Sequence, residues 1–300
     1  MSYIYFFLIF KTLLFNENYK LYNNLCNLTN YYELINKCYN PKIIVSLTSY
    51  YKRLNTLNKV LDSILNGNLV PDKIILTLYF KDLNFISKYI YDYLNKNNIT
   101  LIIVNIDIKS HKKYFYVMQK YPYDIIITID DDIIYENNTI ELLYKSYLKY
   151  PNEISARRVH LIKYNRNGLS TSYNKWYKEY KLLKTPSFDL LATTGAGTLF
   201  PPNILKINYS LIYDIFNCIT SDDLFLKFIE NKLKIKIVWV ENNKLMGLKE
   251  IYRKGMIYNE NRYGNDKCLK NLKYIKWKIN NIKILNPELK INLKNLFSKI

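Results

Sequence analysis

The chain is poor in glycine, with 7 in 300 residues, and holds only 2 histidines and 4 cysteines. So few glycines exclude collagen-like and low-complexity repeats, and no Gly/Ser-rich or Pro-rich stretch marks a linker. Cys26, Cys38, Cys218 and Cys268 are too widely spread for paired CxxC zinc spacing, and two histidines leave few other ligands. That spread predicts reduced, structurally ordinary thiols. No apolar run reaches the ~20 residues of a membrane span. The N-terminal run from Tyr3 to Phe10 is followed by Lys11 and a short patch ending at Phe15. It lacks the leading positive charge and the small-residue cleavage site of a secretory signal. It reads as a docking helix or strand, or as a peripheral membrane contact, and the expected location is cytoplasmic. Acids are scarce too: 25 Asp and Glu against 44 Lys and Arg give a net charge of +19. Such a field favours polyanions, phosphates or an acidic membrane face. The crowding of Lys, Asn, Ile and 31 tyrosines is also what a drift toward AT-rich codons produces. With no basic helix, zinc finger or aromatic-sheet motif, nucleic acid is not an expected partner.

What remains is an ordinary globular balance, 49% apolar and 23% charged, enough for a sizeable core. From Pro41 onward short β-rich runs alternate with helical-period segments, the pattern of βαβ units and a mostly parallel sheet. The runs are Lys42–Leu47, Lys73–Leu78, Ile99–Val104 and Asp124–Ile129. Between them lie a stripe at Leu54, Leu57, Leu61, Ile64 and Leu65 closed by Gly67, a stripe from Phe85 to Leu94, and a short helix with Ser110 as its expected N-cap. A further helix is expected from Asn138 to Tyr150, with Asn138 and Glu141 at capping-box spacing. Beyond Ile154 come polar loops and the small-residue cluster Thr193–Thr198, then a helix from Ser221 and a strand over Ile235–Val240. The division this gives is 1–40 as an N-terminal extension, 41–240 as one α/β domain, and 241–300 as a basic, loosely packed C-terminal extension.

The chemistry concentrates at Asp130, Asp131 and Asp132, between the apolar run Ile125–Ile129 and the pair Ile133 and Ile134. Three adjacent carboxylates repel one another, and the carboxyl end of a parallel strand is where open α/β sheets bind ligands. A divalent cation relieves that repulsion; Mg²⁺ or Mn²⁺ takes one or two carboxylates and fills its other positions with water and phosphate. The alternative is an acidic loop favoured by a helix dipole.

The hydrophobic strand, the three aspartates and the apolar pair after them resemble the DxD motif of GT-A glycosyltransferases, close to family-two-like bacterial and viral members. The segments Val45–Tyr50 with Lys52 and Arg53, Ser110–Tyr114, Ser155–Val159 and Thr194–Gly197 are similar to other loops of that group. The resemblance spans about Lys42 to Val240, and the DxD region alone is individually specific. It implies a GT-A, Rossmann-like single domain with terminal extensions. The implied activity is metal-dependent and inverting: a sugar moves from a nucleoside-diphosphate donor to a glycan, lipid-linked or protein acceptor. Asp132 is then the direct metal ligand, with Mn²⁺ or Mg²⁺ as cofactor. Asp130 shares the metal or holds ribose, and Asp131 assists or faces away. Thr48, Tyr50, Arg53, Lys112 and Lys113 contact the donor. Gly195 and Gly197 let backbone approach it. Asp222 and Asp223 open a helix, and Asp223 is the implied base; Ser-Asp-Asp is equally an ordinary helix cap. Many members of that group place an acidic residue after the second strand to read the nucleobase; here the strand ends at Tyr79, with Asp82 beyond it. His160 reads as structural, and Trp176 and Tyr177 as acceptor-stacking or packing residues. Two other classes stay open: a non-catalytic polyanion- or membrane-surface-binding protein, and another metal-dependent phosphate-processing enzyme.

Overall fold

The computed structural model describes residues 40–166, 170–241, 246–247 and 264–272. The N-terminal apolar run and most of the tail lie outside these residues. The described elements belong to the unit Lys42–Ile300, separate from Met1–Pro41. The apolar runs become β1 (Ile43–Thr48), β2 (Lys73–Tyr79), β3 (Thr100–Val104) and β4 (Ile125–Ile129), all parallel in the order β4-β1-β2-β3. They alternate with α1 (Leu57–Leu65), α2 (Lys88–Lys96) and α3 (Lys112–Lys120). The strand period of two sorts the side chains onto two faces. Val45 and Leu47 of β1 and Ile125, Ile127 and Ile129 of β4 pack with α1, α2 and α4 (Thr139–Lys149). Ile44 and Ile126 point the other way, onto Val117 of α3.

Beyond β4 the sheet continues through β9 (Ala196–Phe200), β6 (Ile154–Ala156) and β10 (Ile237–Trp239). β9 runs antiparallel to both its neighbours, while β6 and β10 are parallel to each other. The short β5 (Ile133–Ile134) pairs with β11 (Met246–Gly247), and β7 (Val159–Leu161) with β8 (Leu190–Ala192). A second core lies under α5 (Ile212–Phe216) and α6 (Asp222–Leu233). Seven strands, mostly parallel and flanked by helices, make the Rossmann-like, GT-A-type architecture that the sequence implies. Among the described residues no helix is long and apolar enough to cross a membrane.

Five expectations need correction. Cys218 and Cys268 form a disulfide rather than free thiols; folding brings together positions 50 apart in sequence. Residues 264–272 are helical, with Cys268 and Leu272 buried in the second core, so this part of the tail is packed. Ser110 falls inside a 3₁₀ turn and α3 starts from His111 without a side-chain cap, while Asn138 also makes no cap bond. Glu141 is turned instead toward Lys145 and Asn68. The cluster at Thr193–Thr198 is a loop only as far as Gly195; Ala196 onward is strand, because its residues close the gap between β4 and β6.

β4 and β9 shift register between Thr128 and Ile129: Thr128 faces Thr198 and Ile129 faces Ala196, skipping Gly197. Gly197 has φ of +98°, a conformation that favours glycine.

Candidate active site

The site forms where β1 and β4 end and β9 begins. Asp131 is turned inward. Its carboxylate accepts from the Ser49 hydroxyl at 2.5 Å and pairs with Arg53 Nη1 at 2.8 Å. The same Nη1 lies 2.8 Å from Asp132 Oδ2, so one guanidinium ties the turn after β1 to the end of β4. Burial works against the charge on Arg53, but Asp131 and Asp132 outweigh it and hold the guanidinium well above its usual range. Burial and the neighbouring Asp130 push Asp132 up to about 6 against the pull of Arg53.

Asp130 points differently. Its side chain is 36% exposed, the most open of the three, and meets Lys113 Nζ at 2.8 Å. Its N–H donates to the Gly195 carbonyl at 3.0 Å and the Tyr135 hydroxyl at 2.8 Å. Tyr135 in turn donates to the Gly195 carbonyl. A Cβ on Gly195 would lie 1.6 Å from Asp130 Oδ2, so the carboxylate occupies the space that any other residue there would fill.

Lys113 joins this cluster to the second one. Its Nζ is 2.8 Å from Asp130 and 2.9 Å from Asp222, and the residue is 2% exposed. Two features aim it: it is the second residue of α3, and its carbonyl accepts from the buried Ser46 hydroxyl of β1 at 2.5 Å. Burial opposes its charge, and Asp130, Asp222 and Asp223 more than restore it. The Thr194 hydroxyl lies 2.7 Å from both Asp222 and Asp223, and the Thr194 N–H donates to Asp223 Oδ1 at 2.8 Å. The two carboxylates then diverge. Burial disfavours charge on Asp222, but Lys113 and Thr194 outweigh it and hold the group below the usual range. Burial and the adjacent Asp222 push Asp223 up to about 6. The pair thus does more than cap α6, and Ser221 makes no side-chain cap bond.

Behind Asp222, fully buried His111 places Nδ1 2.7 Å from the Tyr114 hydroxyl and Nε2 3.1 Å from the Cys218 carbonyl. Burial lowers its pKa to about 4, so the ring is neutral near pH 7. A carbonyl only accepts; Nε2 therefore carries the proton and Nδ1 accepts from Tyr114.

Arg53, Lys113, Asp130, Asp131, Asp132, Gly195, Asp222 and Asp223 are thus one connected group. Of the other expected donor contacts, Lys112, Thr48 and Gly197 lie apart. Lys112, one residue from Lys113 and so about 100° around the helix, pairs with Asp107 instead. The Thr48 hydroxyl is committed to the Thr77 carbonyl at 2.7 Å. Gly197 packs toward Arg157 and Thr139, away from the acid cluster. Asp131, with its carboxylate spent on Ser49 and Arg53, braces the turn rather than facing the open site. Tyr50 flanks Arg53, its ring 5.5 Å from the guanidinium carbon. Asp82 is buried and accepts from the Tyr51 N–H at 3.2 Å, while the Tyr79 ring packs edge-on against Phe80. His160 Nδ1 accepts from the Glu179 N–H at 3.0 Å, a structural bond. Trp176 is buried with its indole N–H on the Thr171 carbonyl, whereas Tyr177 is exposed.

Sequence reading assigned no role to Ser49, Thr194, Tyr135 or His111. Ser49 and Thr194 sit inside segments already singled out, and their hydroxyls were the available signal. Tyr135 is hidden among 31 tyrosines.

No protein-family model matches the chain, and no curated protein sequence matches it. Solved structures do. A 4-diphosphocytidyl-2C-methyl-D-erythritol synthase is similar over 75% of this chain and 99% of its own, at 11% identity and a TM-score of 0.45. A glucosyl-3-phosphoglycerate synthase from Mycobacterium tuberculosis, solved with Mn²⁺, UDP and glucosyl-3-phosphoglycerate, is similar over 39% of this chain. That match spans 43% of its own length, at 17% identity and a TM-score of 0.31. Likeness this distant carries no chemistry across.

Proposed function

We propose that the chain is a metal-dependent glycosyltransferase that moves a sugar from a nucleoside-diphosphate donor to a glycan, lipid-linked or protein acceptor with inversion. One observation carries this reading: buried Lys113 bridges the acid cluster after β4 to the acidic pair opening α6, at 2.8 and 2.9 Å. Leaving-group stabilisation and proton removal are the two demands of glycosyl transfer, and this arrangement serves both from adjoining groups.

Among the described residues no group of three or more His, Cys, Asp or Glu side chains is set to hold a metal ion. Asp130 and Asp132 nevertheless suit a hard divalent cation. They supply oxygen donors, repel each other, and Asp130 lies in the space left by Gly195. Mg²⁺ and Mn²⁺ commonly take two carboxylates and complete their shell with substrate phosphates and water. Bound there, the ion supplies Lewis-acid stabilisation of the departing diphosphate. Arg53 and Lys113 add fixed positive charge prearranged beside it. Asp223 takes the proton from the acceptor hydroxyl as that oxygen bonds to the anomeric carbon. The bond from that carbon to the diphosphate oxygen breaks, and its electron pair leaves with the diphosphate. General-base assistance of this kind is worth about 10²–10⁴ in rate. Thr194 holds Asp223 in place through its N–H and hydroxyl, and Asp222, kept charged by Lys113, raises the basicity of Asp223.

The test is calorimetric titration of UDP and GDP, with and without Mn²⁺, into the protein and its Asp132→Asn variant. Metal-dependent binding that is lost in Asp132→Asn supports the diphosphate site. Its absence from the unaltered protein would move the reading to a polyanion- or membrane-surface-binding protein. Release of pyrophosphate from a nucleoside triphosphate and a sugar phosphate, in place of nucleoside diphosphate from a nucleotide sugar, would mark nucleotidyl transfer instead.

A further inference from the structure

On α6, Asp223, Lys227 and Glu230 stand at i, i+4 and i+7, successive turns of one helix face. Lys227 and Glu230 are 4% and 2% exposed, among the apolar Leu224, Phe225, Leu226 and Ile229. Their charged atoms are 3.5 Å apart, and Lys227 Nζ and Glu230 Oε2 make no hydrogen bond among the described residues. Desolvating two charges this deeply is not repaid by so loose a pairing, so stability is a poor reason for their presence.

Asp223 faces Asp222 on its own helix, Lys113 of α3, and Lys178 from the loop before β8. Thr194 hydrogen-bonds it from the turn before β9. Lys227 faces Glu230 and Asp189. Glu230 faces Lys227 and Asp223. We propose that Lys227 and Glu230 are positioning residues whose buried charges, aligned along α6 behind Asp223, set how tightly that carboxylate holds a proton. The proposal rests on Asp223 as the base of the proposed reaction. Seven residues of helix span about 10 Å, and unit charges that far apart at an effective dielectric near 20 shift a titration by about one pH unit. Lys227, one turn along α6 from Asp223, favours the charged carboxylate; Glu230, two turns along, opposes it. Burial and Asp223, against the pull of Lys227, push Glu230 itself up to about 7. Asp223 and Glu230 therefore exchange protons over the same pH range.

The experiment follows the ¹³C carboxyl resonance of Asp223 through a pH titration of the full chain, the signal being assigned by its loss in Asp223→Asn. Glu230→Gln should lower the Asp223 midpoint by a fraction of a pH unit, because Glu230, pushed up to about 7, is charged over only the upper part of that titration, and Lys227→Met should raise it by more. The double variant should fall between the two single variants. Midpoints that do not move, or that move in the same direction in both single variants, overturn the proposal. A purely structural role predicts the second pattern. If Lys227→Met does not fold, judged by circular dichroism, the near-isosteric Glu230→Gln decides the sign alone. An Asp223→Asn enzyme with full transfer activity would remove the base reading while leaving the opposed shifts to stand or fall separately.

Discussion

The molecule places two strings of adjacent aspartates in one site, one leaving a strand and the other entering a helix, and treats them alike. In each, one carboxylate is spent on fixed donors: Asp131 on Ser49 and Arg53, Asp222 on Lys113 and Thr194. In each, a neighbour is left avid for a proton, Asp132 and Asp223 both rising to about 6. They differ in what surrounds the avid member. Asp132 lies beside the more open Asp130, whereas Asp223 is backed by the interior of α6. Adjacent like charges thus divide labour through their neighbours rather than through their own chemistry.

The severest way to break the comparison is to remove the cation both strings share. Lys113→Met leaves Asp130 and Asp222 without it, and loss of one partner of a buried pair costs about 3–5 kcal/mol. Urea unfolding should show that loss, and transfer should disappear with it; a midpoint unchanged from the parent protein would mean the two strings are independent. Next in size is the covalent tie behind the second string. Cys218→Ser with Cys268→Ser, or reductant, should lower unfolding stability by about 2–4 kcal/mol. Disulfides persist in oxidising compartments, so a cytoplasmic location and this bond make opposite demands. Peptide mapping of freshly purified protein, with and without alkylation, shows which holds.

Gly195→Ala acts on the first string alone. Its methyl group collides with Asp130, and overpacking typically costs about 1–3 kcal/mol. Metal-dependent nucleotide binding should weaken well beyond that stability loss, and unaltered binding would detach Asp130 from the site. The gentlest probe is pH. Asp223 works as a base only when deprotonated, so below pH about 6 the transfer rate should fall, approaching tenfold per pH unit. A rate flat from pH 7 to 4.5 would assign the proton to another group.

The sheet was largely legible because its signal is local. Four apolar runs with turn residues between them gave β1 to β4 within a residue or two, and apolar flanks gave the acid cluster its place at a strand end. What escaped was decided by orientation or by distance along the chain. Lys112 and Lys113 are indistinguishable in a sequence, yet a 100° step around α3 sends one to Asp107 and the other to Asp130. Ser110 and Asn138 have capping side chains but lack the cap bond: Ser110 lies within a 3₁₀ turn, and Glu141, the partner expected for Asn138, is turned to Asn68 and Lys145. Cys218 and Cys268 meet only after the tail folds back. Thr194 was part of a noticed cluster, but its double hold on Asp222 and Asp223 needs β9 to start beside α6.

The skipped residue in the β4–β9 register has a consequence for chain length. Strand side chains alternate, so Gly197 acts as a phase change: Thr198 to Phe200 count in one parity against β4, and Ala196 and Gly195 in the other. Deleting one residue from this stretch, or inserting one, would leave the composition of β9 nearly intact while rotating Thr194 off the acidic pair and pressing a side chain onto Asp130. Among related chains, insertions and deletions should therefore collect in the loop between β7 and β8, and the spacing from Thr194 to Phe200 should stay fixed at its present length.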